Sequence, residues 1–209
     1  AGKPQTLDDL KYPNWFKEIY LDSDTKVALI SGSASEEPRD WFLTNEMKAE
    51  AREKVNREAG SRRLLSHAIF TPGYDGWMDE VDKCIATLNP DSWKGYTVGD
   101  NTNKDLGRHP WRMDDEKLAY PFYEKIAKAG YDIVCVHKGL YPTSVEKRFR
   151  HLTPYATVDD VGKAAKDWPN IPFVIYHSAF RWTGAPGAAM EGYAQFEKTG
   201  RIEWTTDLA

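Results

Sequence analysis

The stretch that decides the fold is residues 131–140, "YDIVCVHKGL". Ile133, Val134, Cys135 and Val136 form an unbroken apolar run rich in β-branched residues. Such a run reads as a strand buried on both faces, the habit of a parallel sheet covered by helices. It stops abruptly at His137, Lys138 and Gly139. Further along, "IPFVIYHSAF" (171–180) repeats the pattern, with Phe173 to Tyr176 running into His177. Two buried strands thus end on a histidine.

Working outward, three more segments share this character: "TKVALISG" (25–32), "RRLLSHAIFTP" (62–72) and "SWKGYTVG" (92–99). Helical patterns lie between them. In 115–130, Leu118, Phe122, Ile126 and Ala129 fall on one face, and Gly130 stands where a helix C-terminus favours positive φ. Thr157 and Asp160 form a variant capping box that opens a helix over 158–167. Residues 44–59 read as a charged, mostly solvent-facing helix closed by Gly60, and 188–199 as a helix with Met190, Tyr193 and Phe196 at helical spacing. Strand alternating with helix means βαβ units and an α/β fold with a parallel sheet. No linker interrupts 1–209, so one domain is expected. Periodicity leaves two architectures open, an open doubly wound sheet and part of a closed barrel.

Composition narrows the function classes. An apolar fraction of 41% with 13% aromatics is that of a folded globular chain. No window approaches the roughly eighteen consecutive apolar residues of a membrane helix, so no membrane association is expected. A net charge of −4, with Lys and Arg scattered, argues against a nucleic-acid partner. "AGKPQTLDDL" lacks the basic start and apolar core of an export signal. The cytoplasm is favoured, and a removed signal is compatible with the sequence. Cys84 and Cys135 are too few for a disulfide framework or a four-cysteine zinc site, and Cys135 reads as a small core residue.

Side chains alternate along a strand, which puts His137 on the face of Cys135 and Ile133, and His177 on the face of Ile175 and Phe173. If the two strands pair, they lie about 5 Å apart and bring both imidazoles to one metal ion or one reacting group. Imidazole nitrogen suits zinc, iron, nickel or copper, often with added carboxylates. The plainer alternative is two half-buried histidines bonded to loop carbonyls; two at one height on neighbouring strands favour function. The long connections 100–116 and 138–154 follow strands, so they belong to the same end of the sheet, where α/β folds build their sites. Lys94 interrupts an apolar strand: it either reaches solvent at the sheet end or is a functional lysine of the kind that is carbamylated to bridge metals. His67 reads as a satisfied core histidine. Asp114, Asp115 and Glu116 read as charges at a helix N-terminus. Arg108 and Arg112 beside them are exposed arginines or contacts for a substrate carboxylate. The chain has no His-x-His, no Gly-x-Ser-x-Gly and no phosphate-binding glycine motif; "LISGSASEEP" after the first strand is a poor approach to one, which disfavours a nucleotide-binding sheet.

At "VCVHKGL", "WRMDDE", "VDDVGKAAKDWPNIPFVIYHS" and "GRIEWTTDLA" the chain resembles the amidohydrolase-related metal-dependent hydrolases, a branch of the amidohydrolase superfamily that includes decarboxylases. The resemblance covers most of the chain and is strongest over 90–209. It implies a (β/α)8 TIM-barrel type of fold, of which five βα units, barrel strands two to six, are present. It implies that His137 is the strand-five metal ligand. His177 would be the strand-six histidine, a metal ligand in binuclear members and a catalytic group in mononuclear ones. Lys94 falls on the segment matching strand four, where some members carry a carbamylated lysine.

Two departures qualify the match. The family's strand-one His-x-His has no counterpart. Asp207 in "EWTTDLA" comes too soon after His177 to be the strand-eight aspartate, and reads as part of a helix end. Strands one, seven and eight are absent, so the chain is expected to be an internal portion of a longer polypeptide. The implied function is metal-dependent hydrolysis, or non-oxidative decarboxylation, of a small carboxylated or cyclic substrate. Zinc is the implied metal, with manganese the second choice. Arg108, Arg112 and Lys138 are the implied substrate contacts, and self-association is a possible property by analogy with family barrels. The competing expectation is a non-catalytic structural or interaction subunit that kept a degenerate barrel core.

Overall fold

A computed structural model describes residues 6–33, 41–99, 108–182 and 186–209. Five strands form one sheet among them: β1 (Ala28–Ile30), β2 (Leu64–Ile69), β3 (Ser92–Tyr96), β4 (Val134–His137) and β5 (Phe173–Tyr176). Every pairing is parallel and the spatial order is the chain order, β1-β2-β3-β4-β5, giving a sheet curled into a half-barrel. Helices precede, separate and follow the strands. They are α1 (Tyr12–Phe16) before β1, then α2 (Asn45–Ala59), α3 (Trp77–Lys83), α4 (Ala119–Lys128), α5 (Thr143–Arg148), α6 (Thr153–Ala156) and α7 (Val161–Asp167) between successive strands, and α8 (Pro186–Thr199) and α9 (Thr205–Leu208) after β5. No described helix is long and apolar enough to cross a membrane.

Strand register sorts the side chains into two layers. Ala68, Trp93, Val134 and Val136 face the helices and join Phe70, Phe122, Tyr123, Ile126 and Ala164 in the main core. Burying side chains of this size stabilises by about 1.5–3 kcal/mol each. Gly95 is demanded by this layer, since a Cβ there would lie 2.6 Å from Trp111 and 2.7 Å from Phe70. The opposite, concave face carries His67, Lys94, Tyr96, Cys135, His137 and Tyr176, set in line by the pairs Lys94↔Cys135, Tyr96↔His137 and His137↔Tyr176.

α2 departs from its expected role as a solvent-facing helix. Thr44 caps it by accepting from the Met47 amide at 3.2 Å, and Gly60 ends it at φ 62°. Yet Asn45, Lys48, Ala49 and Val55 are buried. The face turned to the sheet is largely polar, and Asn45, Arg52 and Asn56 bond to strand or loop atoms while the buried Lys48 amine has no hydrogen-bond partner. Asn45 Nδ2 donates to Ile69 O (3.1 Å), Arg52 to Ser66 Oγ (2.9 Å) and Leu88 O (2.7 Å), and Asn56 Nδ2 to Leu64 O (2.9 Å).

Asp160 was expected as a partner in a helix-capping box. Instead α7 begins at Val161 with no side-chain cap, and Asp160 turns inward to accept from Lys138 Nζ (2.8 Å) and the Met113 amide (2.8 Å). Asp207, expected in a segment that ends a helix, lies instead in the separate short helix α9, where its carboxylate accepts from the Trp204 amide at 3.0 Å.

Candidate active site

The C-terminal end of β4 is closed by "HKGLY". Gly139 takes φ 77° and Leu140 φ 50°. Beyond β5, His177, Ser178 and Ala179 take φ 60°, 49° and 53° in succession. Left-handed backbone costs non-glycine residues on the order of 1–2 kcal/mol each, so three in a row must be held by their surroundings. They are. Leu140 N donates to Phe180 O (2.8 Å) and Tyr141 N to Arg181 O (2.6 Å), which ties the turn after β5 to the loop after β4. The bare α-carbon of Gly139 allows this approach: a Cβ there would lie 2.5 Å from the Ala179 carbonyl carbon.

This turn places His177. Register pairs His137 with Tyr176 rather than with His177. Phe173 and Ile175, the expected face-mates of His177, pack into the helix-side core instead. Simple alternation would therefore send His177 to the helix side, but the left-handed turn carries its ring back toward the concave face. The His137 and His177 ring centroids lie 4.9 Å apart, edge to face. Tyr96 stacks on His137 from the other side at 5.2 Å. Among the described residues, no side chain or carbonyl hydrogen-bonds either imidazole; their near contacts are the rings of Tyr96 and Tyr176 and each other.

The electrostatics keep the rings neutral. Burial, reinforced by the charge of Lys94 and by the neighbouring His177 imidazole, draws His137 down to about 4. Burial and Lys94 lower His177 as well. His67, 1% exposed, is bonded through Nδ1 to Ser92 Oγ and through Nε2 to Tyr176 OH, each at 2.6 Å. It is a satisfied histidine, lowered to about 4 by burial and then by Lys94 and Lys48.

Lys94 does not reach solvent along the sheet end. It is 1% exposed, with Nζ 3.2 Å from the Tyr176 ring centroid and 4.8 Å from that of Tyr96. Burial brings it down to about 8. Cys135 lies beside it, and neither cysteine is in a disulfide. Tyr96 and Tyr176 belong to this cluster although sequence reasoning passed over both. Each sits at the end of an apolar strand, where a phenol reads as one more large core residue.

The expected substrate contacts are placed differently. Lys138 and Asp160 are both fully buried and form an ion pair, with Lys138 Nζ also donating to Tyr155 O (3.0 Å). This lysine braces the loops beneath the rim and presents no ammonium to a ligand. Burial outweighs the Asp160 carboxylate and leaves Lys138 below the ordinary lysine value. Arg112 forks onto Asp114 (2.9 and 3.1 Å) and donates to Pro154 O (3.2 Å). Arg108 is exposed, at the start of the described part of that connection. Residues 100–107 of the connection, and 34–38 of "LISGSASEEP", lie outside the described residues. Trp111 N bonds Thr97 O at 2.9 Å, which brings the returning loop to the C-terminal end of β3.

With protein-family models, curated proteins and solved structures as the comparison, the chain finds no match. The site is therefore read from its own chemistry. Two neutral imidazoles at this separation are a donor set suited to a borderline metal such as zinc. Among the described residues no group of three or more His, Cys, Asp or Glu gathers, so the pair offers two ligands and no third. Lys94 as an ammonium would oppose a cation beside it; as a neutral amine or a carbamate it would not.

Proposed function

We propose that this chain carries part of the site of a metal-dependent hydrolase of the amidohydrolase-related type, with the half-barrel corresponding to barrel strands two to six. The observation that carries the reading is the juxtaposition of the His137 and His177 rings at 4.9 Å, both held neutral. Their position at the C-terminal end of a parallel sheet agrees with where such folds place their chemistry.

His137 and His177 would hold the ion, zinc or else manganese, through nitrogens that keep their lone pairs at neutral pH. Such an ion, when bound, supplies Lewis-acid polarisation of a substrate oxygen. Tyr96 orients the His137 ring by stacking, and the Gly139–Ala179 contact holds the His177 turn. His177, exposed where His137 is half-buried, is the better placed of the two to meet substrate and move a proton. Lys94, desolvated between two phenol rings, would be neutral in part near pH 8 and so open to carbamylation. The substrate in this reading is a small carboxylated or cyclic molecule, and hydrolysis and non-oxidative decarboxylation are both compatible with these residues.

The test is metal content. The chain purified from medium supplemented with zinc or manganese is expected to retain metal that His137→Ala removes. Equal, negligible metal in wild type and variant would contradict the ligand assignment and favour the non-catalytic subunit.

A further inference from the structure

His67 is the buried histidine that the metal-site reading does not use, and both of its ring nitrogens are engaged, by Ser92 on β3 and by Tyr176 on β5. Register makes Ser92 its neighbour on the next strand, whereas Tyr176 reaches it from the far edge of the sheet. The Tyr176 side chain therefore crosses the concave face. It passes over Lys94, whose Nζ is 3.2 Å from the ring centroid, and beside the Cys135 thiol. Its backbone position is aligned with those of Tyr96 and His137, so the ring forms a floor beside the histidine pair.

Burial keeps His67 neutral, and a neutral imidazole carries one proton. The chain Ser92–His67–Tyr176 can place that proton in two ways. If Nδ1 holds it, Nδ1 donates to Ser92 Oγ and Tyr176 donates to Nε2. The Ser92 hydroxyl proton then has no acceptor, because among the described residues His67 is the only partner of Ser92 Oγ. Ser92 is 4% exposed, and a donor left unmade in a dry interior is costly. If Nε2 holds the proton, Ser92 donates to Nδ1 and Nε2 donates to the phenol oxygen. The spare proton is then that of Tyr176, a half-buried residue. This second arrangement leaves the unpaired donor at the wet end of the chain and none at the dry end.

We propose that Ser92 and His67 are positioning residues that hold Tyr176 as a hydrogen-bond donor to a carboxylate oxygen of the ligand at the floor of the histidine site. Without a ligand, the phenol proton has the Cys135 sulfur beside it, a weak acceptor that an oxygen displaces readily. The inference rests on the reading of this end of the sheet as a substrate site, and it does not depend on a metal there.

The experiment is NMR of the whole chain at neutral pH in EDTA, with histidine labelled in its ring nitrogens and tyrosine at Cζ, and signals assigned through their backbone connections. The His67 ring is expected with Nε2 protonated and Nδ1 bare. Acetate, replacing chloride at constant ionic strength, is expected to move the Tyr176 Cζ signal saturably. Ser92→Ala is expected to weaken that binding roughly threefold or more, the worth of one neutral hydrogen bond, and Ser92→Thr, which keeps the hydroxyl, to restore it. A His67 ring protonated at Nδ1 overturns the proposal, and so does a Tyr176 signal that acetate leaves unmoved. An acetate response as strong in Ser92→Ala as in wild type overturns the positioning role. The tautomer and the acetate response are read in wild type, so they decide the matter even where the alanine variant fails to fold. Metal is chelated throughout, which keeps these outcomes separate from the metal content that tests His137 and His177 as ligands.

Discussion

Gly139 and Ala179 are in such close approach that a single added methyl group at residue 139 would lie 2.5 Å from the Ala179 carbonyl carbon and 2.6 Å from its oxygen. Gly139 also holds φ 77°, a region that L side chains rarely adopt. The contact joins the two loops that present His137 and His177. Gly139→Ala is therefore expected to cost about 3 kcal/mol in urea unfolding, from backbone strain and clash together. It should also separate the two imidazoles, visible as loss of any metal-dependent change in their NMR resonances. A variant as stable as wild type would show that the loops need not touch.

The Lys138–Asp160 pair makes a second prediction. Both side chains are fully buried. Removing one partner leaves the other charge stranded, so Lys138→Met alone should cost about 3–5 kcal/mol. Lys138→Met combined with Asp160→Leu should recover much of that loss, since neither charge then remains. Equal losses in the single and double variants would mean that the pair contributes mainly through its other bonds, to Tyr155 O and the Met113 amide.

Acid should weaken the fold before the carboxylates are protonated. His67 and His137 have folded-state values near 4, against 6.5 for an unperturbed imidazole. Between those values the unfolded chain binds protons that the folded chain refuses, so stability falls as pH drops from about 6.5 toward 4. Each histidine contributes at most on the order of 3 kcal/mol to that loss. Urea unfolding at successive pH values reads the slope, and proton NMR titration of the imidazole C–H signals reads the two groups directly. Imidazoles that titrate near 6.5 in the folded protein would contradict the burial and charge effects described.

The strands were legible because their apolar runs are short, continuous and interrupted by polar ends, and His137 was legible because it ends one of them. The parallel sheet followed from the alternation of strand and helix, which left open whether it would curl toward a barrel. The position of His177 was not legible in the same way. Its approach to His137 depends on three consecutive left-handed residues, none of them glycine, and the only mark in the sequence is Gly139 on the other loop. Lys48 and the polar face of α2 were hidden because hydrophobic periodicity cannot register a helix that docks through Asn45, Arg52 and Asn56. Lys138 read as a substrate contact because its partner, Asp160, lies beyond α5 and α6 and itself resembled a helix cap.

The central claim is that His137 and His177 share one metal ion. An anomalous diffraction map from a zinc-soaked crystal of the chain measures it most directly. The account predicts one peak about 2.0–2.1 Å from a ring nitrogen of each histidine. No peak between the two rings, with zinc found elsewhere or nowhere, would contradict it.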